Sequence, residues 1–235
     1  MKNKAILSLL LLLTTSITFA QEGKFKLGLR FAPSLSSVRV QDLSDKDEFA
    51  FSGSSSGLRF SAGLTGDFYF GKNYSFYTGA WYSVMKSGLR AEYTEPITTL
   101  KSNAESITNL QYLQIPVALK LFTNEVAPDV KLYFVVGGTG AINIQEKKIS
   151  FKDDKKLFTE PASGKGYSIG DVGLLLGAGA EYRLGESTTL FGGLSYNRGL
   201  LNVPSAKGPL VWNKDAAELY DLSLNQISLE MGIKF

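Results

Sequence analysis

The sequence predicts an all-β chain: an eight-stranded antiparallel up-and-down β-barrel that crosses a membrane with its strands. Three observations carry this expectation. Eight stretches alternate apolar with small or polar residues at a period of two, so each has one face for an apolar surrounding and one for something wetter. Their connections run long, short, long, short, long, short, long, and the chain closes on an aromatic, Phe235. An even number of strands, with long loops on one rim and short turns on the other, is the pattern of an outer-membrane barrel.

The first residues fit the same route. Lys2 and Lys4 precede an apolar run from Ala5 to Leu13, and Thr18-Phe19-Ala20 supplies small residues where a signal peptide is cleaved. The expected division is a signal peptide over 1–20, cleaved between Ala20 and Gln21, and a barrel domain over 21–235. The apolar run is shorter than the roughly 20 residues a membrane-spanning helix needs, and no Cys follows it to take a lipid.

The first stretch, about 24–34, sets Phe25, Leu27, Leu29 and Phe31 against Lys26, Gly28, Arg30 and Ala32. In the second, about 57–70, Leu58, Phe60, Ala62, Leu64 and Phe68 oppose Arg59, Ser61, Gly63, Thr65 and Asp67, and Gly71-Lys72-Asn73 follows as a tight turn. The third, about 74–89, carries aromatics on both faces (Phe76 and Tyr82 against Tyr77 and Trp81), so periodicity does not assign its sides. In the fourth, about 109–122, Leu113, Ile115, Val117, Leu119 and Leu121 share a face. Pro116 lacks an N–H and predicts a bulge or weakened pairing there.

The fifth, about 131–144, groups Leu132, Phe134, Val136, Ile142 and Ile144. Its Gly137-Gly138-Thr139-Gly140 is a strand glycine cluster, since neither a Walker lysine nor a helical pattern follows. The sixth, about 167–182, sets Val172, Leu174, Leu176, Ala178, Ala180 and Tyr182 against Asp171, Gly173 and Glu181. Leu190, Leu194 and Tyr196 line the seventh, and Ile227, Leu229, Met231, Ile233 and Phe235 line the eighth, about 222–235. Aromatics near the short turns, namely Phe25, Phe68, Phe70, Tyr74, Phe76, Phe122, Tyr133, Phe134, Tyr182, Phe191 and Phe235, read as one interfacial girdle.

Periodicity alone does not separate this barrel from a soluble one with its apolar face inward. The opposite face favours lipid outside, because it is rich in Gly, Ala and Ser and too poor in Lys and Glu for a soluble exterior.

Composition narrows the chemistry. The chain has no Cys and no His, which removes disulfides, thiol nucleophiles, Ser-His triads and most catalytic metal sites. No enzymatic activity and no cofactor are expected. Loss of Lys2 and Lys4 with the leader leaves 23 basic against 22 acidic residues, a balance that gives nucleic acid no electrostatic purchase.

The candidate site is the inward charge set: Arg59, Asp67, Lys120, Asp171, Glu181 and Glu230, with Lys234 on the same face. An eight-stranded barrel has an interior that side chains can fill, so these charges are expected to pair and plug the lumen. A narrow polar pathway is the alternative. In the loops, Asp42, Asp45, Asp47 and Glu48 lack calcium-loop spacing. Lys147, Lys148, Lys152, Lys155 and Lys156 form a basic loop, and Leu200, Leu201, Val203, Leu210, Val211 and Trp212 make the last loop less polar.

Two segments carry a family resemblance. Tyr112-Leu113-Gln114-Ile115-Pro116-Val117-Ala118-Leu119-Lys120 resembles the YLxIPxxLK strand of the PorT-like outer-membrane β-barrel proteins of Bacteroidetes. Tyr196-Asn197-Arg198-Gly199-Leu200-Leu201-Asn202 is similar to their Y-x-x-GL-x-N segment, and the closing Gly232-Ile233-Lys234-Phe235 is similar too. The resemblance implies an eight-stranded outer-membrane barrel with outer-membrane lipid and the barrel-insertion machinery as partners, the latter reading Leu229, Met231, Ile233 and Phe235. The family's founding member is tied to secretion of proteases, which makes a periplasmic or secretion-system protein a further candidate partner.

Overall fold

The computed structural model describes residues 25–43, 48–54, 56–155, 166–204, 210 and 220–235. The expected leader, with Ala20 and Gln21, lies outside the described residues, as do Asp45, Asp47, Lys156, Val211 and Trp212.

Among the described residues nine strands form one antiparallel sheet: β1 (Phe25–Asp42), β2 (Phe49–Gly53), β3 (Gly57–Gly71), β4 (Tyr74–Thr94), β5 (Lys101–Ala127), β6 (Val130–Asp153), β7 (Gly170–Arg183), β8 (Thr189–Gly199) and β9 (Tyr220–Lys234). Eight of them close a ring in the order β1-β3-β4-β5-β6-β7-β8-β9. The seam is the antiparallel pairing of β1 with β9, from Gly28↔Lys234 to Asp42↔Tyr220. The ninth, β2, pairs with the outer end of β4, from Phe49↔Tyr93 to Gly53↔Leu89. There it takes the place that β3 has left, since the β3–β4 ladder starts at Ser61↔Ser83.

The side-chain faces follow the period of two. Leu27, Leu29, Phe31, Leu64, Phe68, Val117, Leu119, Phe134, Val136, Leu174, Leu176, Leu194, Ile227, Leu229 and Met231 are exposed on the outside. Such a belt is stable against lipid and not against water, which excludes a soluble barrel with an apolar interior. The ambiguous third stretch becomes β4, with Phe76 and Tyr82 outward and Tyr77, Trp81 and Met85 buried inside.

Two expectations change, and the one at Pro116 is met by the second of its alternatives. Phe122, Tyr133 and Phe191 do not belong to the girdle, because all three are buried in the lumen, where their rings pack around the Lys120 ammonium. Much of what reads as loop is strand: β4 and β5 run on to Thr94↔Lys101, and β5 pairs with β6 as far as Ala104↔Asp153. A membrane crossing takes about 9–11 residues, so most of the 27-residue β5 stands beyond the bilayer. Pro116 weakens pairing without a bulge. The β4–β5 ladder skips from Thr78↔Val117 to Trp81↔Gln114 in unbroken register, because Pro116 offers no N–H to that neighbour.

The turns on the short rim are tight. Between β5 and β6, Pro128 fixes its own φ and Asp129 takes φ 62°, the combination a type II turn requires.

Candidate functional site

The lumen is filled in four successive layers, and β9 contributes to each. The layer nearest the short rim is a tetrad of charges: Asp67 on β3, Lys120 on β5, Glu181 on β7 and Lys234 on β9. These are every second stave of the ring. Lys120 Nζ donates to Glu181 Oε1 at 2.6 Å and lies 3.9 Å from Asp67. Lys234 Nζ donates to Glu181 Oε1 at 2.5 Å and is ion-paired with Asp67. The Ser75 hydroxyl adds a bond to Asp67 at 3.2 Å.

The staves between carry the rings. Tyr77 on β4, Tyr133 on β6 and Phe191 on β8 lie 5.4, 4.0 and 5.6 Å from the Lys120 ammonium. Two cations are therefore held between two carboxylates in one direction and aromatic faces in the other. A desolvated ammonium is stabilised by both kinds of neighbour.

The second layer is an isolated pair. Arg30 on β1 donates to Glu230 Oε1 through Nε at 3.2 Å and Nη2 at 2.7 Å, and to the Ser61 hydroxyl through Nη1 at 2.7 Å. Its guanidinium lies 4.0 Å over Trp81, and Ser195 donates to Glu230 at 2.6 Å. Above it, Gln226 Nε2 donates to Ser34 at 2.9 Å and Ser83 at 3.2 Å. The fourth layer closes the outer end with apolar side chains, among them Phe49, Phe51, Leu89, Leu110, Tyr112, Val203, Leu210, Tyr220, Leu222 and Leu224. Tyr167 joins them and donates from its hydroxyl to Ser87 at 2.9 Å. Burial raises the Tyr167 phenol to about 12.

The structure thus brings together Asp67, Lys120, Glu181 and Lys234, and places Glu230 one layer away with Arg30. Two members of the expected set lie elsewhere. Arg59, opposite Ser34 on β1, joins neither charged layer: its guanidinium donates to Asn109 Oδ1 at 2.7 and 3.1 Å. Asp171 is half-buried at the outer end of β7 and accepts from the Val172 backbone at 2.8 Å. Arg30 is the member that the candidate set lacked. Its alternation placed it on the right face, but its partner comes from the far end of the chain.

At the short rim a pocket of about 290 Å³ opens beneath the tetrad, lined by residues of all three short turns and by Lys26, with Glu181 at its inner end. Arg183 bridges Asp129 at 2.6 Å and Glu125 at 3.5 Å across this mouth. The Asp129 hydrogen bond and charge raise the Arg183 pKa further.

Comparison with known proteins gives the same architecture. Neisserial surface protein A has a solved structure similar to this chain, with a TM-score of 0.50 and 13% identity over 90% of this chain and 96% of that one. OprG from Pseudomonas aeruginosa is similar at a TM-score of 0.48 and 13% identity, over 89% of this chain and 95% of its own. At these identities the likeness to the neisserial protein is one of fold. No curated protein matches the chain. The model of the outer membrane protein beta-barrel domain matches residues 19–204. With a lipid-facing belt around a closed ring of strands, the chain belongs to the outer membrane protein beta-barrel domain family, and it is an outer-membrane β-barrel protein.

Proposed function

We propose that this protein is a non-enzymatic outer-membrane barrel with a plugged lumen, acting through the parts that project beyond the bilayer as a structural or interaction protein. The observation that carries the reading is the lumen stack: two layers of paired charge, a Gln226-centred layer and an apolar cap lie across one path. An ion crossing it would have to break ion pairs inside a low-dielectric channel and then pass Leu89, Leu110, Leu222 and Leu224. The strands on the outer side, by contrast, offer a long rigid surface.

Residues 1–20 serve in this reading as a cleaved signal peptide, and 21–235 as the barrel domain. Leu229, Met231 and Phe235 face outward at the end of the chain, which suits a terminal strand handed to the insertion machinery. The PorT-like resemblance, carried by Tyr112–Lys120 and Tyr196–Asn202, supports a second reading as an accessory of a protein secretion system.

The test is conductance of the purified barrel in a planar lipid bilayer, with affinity purification from the native outer membrane beside it. The proposal expects no single-channel steps and a stable partner bound to the projecting strands. Steady conductance would overturn the plugged lumen. A partner recovered at the periplasmic rim would replace the outward role with the secretion reading.

A further inference from the structure

We propose that the periplasmic mouth of the barrel is a binding site for a phosphate group. The pocket there is about 290 Å³ and is built from every short turn: Lys72 from β3–β4, Glu125, Asp129 and Lys131 around β5–β6, and Arg183 and Thr189 flanking β7–β8, with Lys26 from β1. Convergence of all three turns gives the pocket a rigid frame.

Its charges are unevenly used. Glu125 and Asp129 share Arg183, and Glu181 is held from the inner side by Lys120 and Lys234. All three carboxylates are thereby engaged. Lys26, Lys72 and Lys131 line the same pocket with no carboxylate at ion-pair distance among the described residues. Lys26 is half-buried and spends one donor on the Thr189 hydroxyl at 2.9 Å, which fixes its amine and leaves two N–H bonds for a ligand.

The mouth therefore offers three ammonium groups, and each carboxylate that lines it among the described residues already holds a cation. An anion entering it gains charge-assisted hydrogen bonds without displacing an existing partner. A tetrahedral phosphate group meets such donors through separate oxygens pointing in different directions, whereas a halide presents a single atom. A cation would meet three amines with every carboxylate already engaged. The phosphate group arrives either as a free small molecule of the periplasm or on a lipid head group of the inner leaflet. Both present the same chemistry to Lys26, Lys72 and Lys131.

The test uses the full mature barrel, folded in detergent and titrated calorimetrically with sodium phosphate at constant ionic strength, with chloride as the control anion. Saturable phosphate binding is expected, weakened about ten-fold for each lost amine contact in Lys26→Gln and Lys131→Gln. Lys72→Gln, exposed on its turn, gives a loss without disturbing the barrel, and Lys101→Gln on the outer hairpin gives none. Repeating the titration in nanodiscs distinguishes the sources. Loss of phosphate affinity on adding anionic phospholipid identifies the head group as occupant, and unchanged affinity identifies the free species. No saturable heat from the wild type, or equal affinity in wild type, Lys26→Gln, Lys131→Gln and Lys72→Gln, would overturn the site. Neither result bears on whether the lumen above conducts ions.

Discussion

Replacing Arg30 by Met isolates the electrostatics of the filled lumen better than any other change. The guanidinium makes two bonds to Glu230, one to Ser61, and a face contact with Trp81. No second cation within ion-pair distance of Glu230 stands in reserve among the described residues, unlike in the tetrad. Arg30→Met therefore leaves a buried carboxylate with the Ser195 hydroxyl as its remaining partner. Breaking a buried pair from one side costs about 3–5 kcal/mol, while replacing both partners with apolar residues is often close to neutral. The single variant should lose about 3–5 kcal/mol, and Arg30→Met with Glu230→Leu should recover most of that loss. Denaturant unfolding from lipid vesicles, read by tryptophan fluorescence and by gel mobility, measures both. A single variant with the wild-type midpoint, or a double variant as unstable as the single, would refute the reasoning that the pair is dry and mutually dependent.

Lys120→Ala should cost on the order of 3 kcal/mol, because Glu181 and Asp67 then share one ammonium; equal unfolding midpoints would show that Lys120 meets water instead. Gly193→Val should destabilise by about 1–3 kcal/mol, since a Cβ there runs into the Ala178 carbonyl and the Tyr133 hydroxyl, whereas Gly140→Ala, with open space around it, should be silent in the same melt. The Tyr167 phenol, raised to about 12 by burial, stays neutral in the folded cap above the pH at which the unfolded chain ionises. Its contribution to stability is thus complete below about pH 10 and lost as pH rises toward 12, which ultraviolet titration against Tyr167→Phe would detect. Deleting Phe235 removes one outward ring and one strand-end hydrogen bond to Leu27. The expected result is a chain that accumulates in the periplasm yet refolds in micelles, and normal outer-membrane levels would refute an assembly role.

The strand faces were legible because alternation is local: Leu27 to Phe31 or Leu113 to Leu121 shows its side within a few residues. β4 hid its sides because a lumen aromatic such as Trp81 and a lipid-facing one such as Tyr82 look alike in a hydropathy pattern. Phe122, Tyr133 and Phe191 misled for the same reason, since a ring over a buried ammonium and a ring at an interface are the same residue type. Beyond the bilayer the inner face changes from polar to apolar, as β9 shows in passing from Glu230 and Gln226 to Leu224 and Leu222. Polar segments there read as loops although they continue the ladder. The site was legible as a set of inward charges and not as pairs, because Arg30 and Glu230 are 200 residues apart and meet only when the ring closes.

That closure has a consequence for how a finished molecule differs from an unfinished one. Arg30, Asp67, Lys120 and Glu181 are all synthesised before β9, and their charges already cancel. The last strand adds one more of each sign, Glu230 and Lys234. Its arrival leaves the net charge of this lumen set unchanged and changes only who faces whom: Arg30 acquires its carboxylate, and Glu181 and Asp67 their second ammonium. A chain stalled one strand short has lumen charges that balance in sum yet are locally mismatched at both levels. Completion is thus registered as a local exchange of partners across the seam between the first strand and the last.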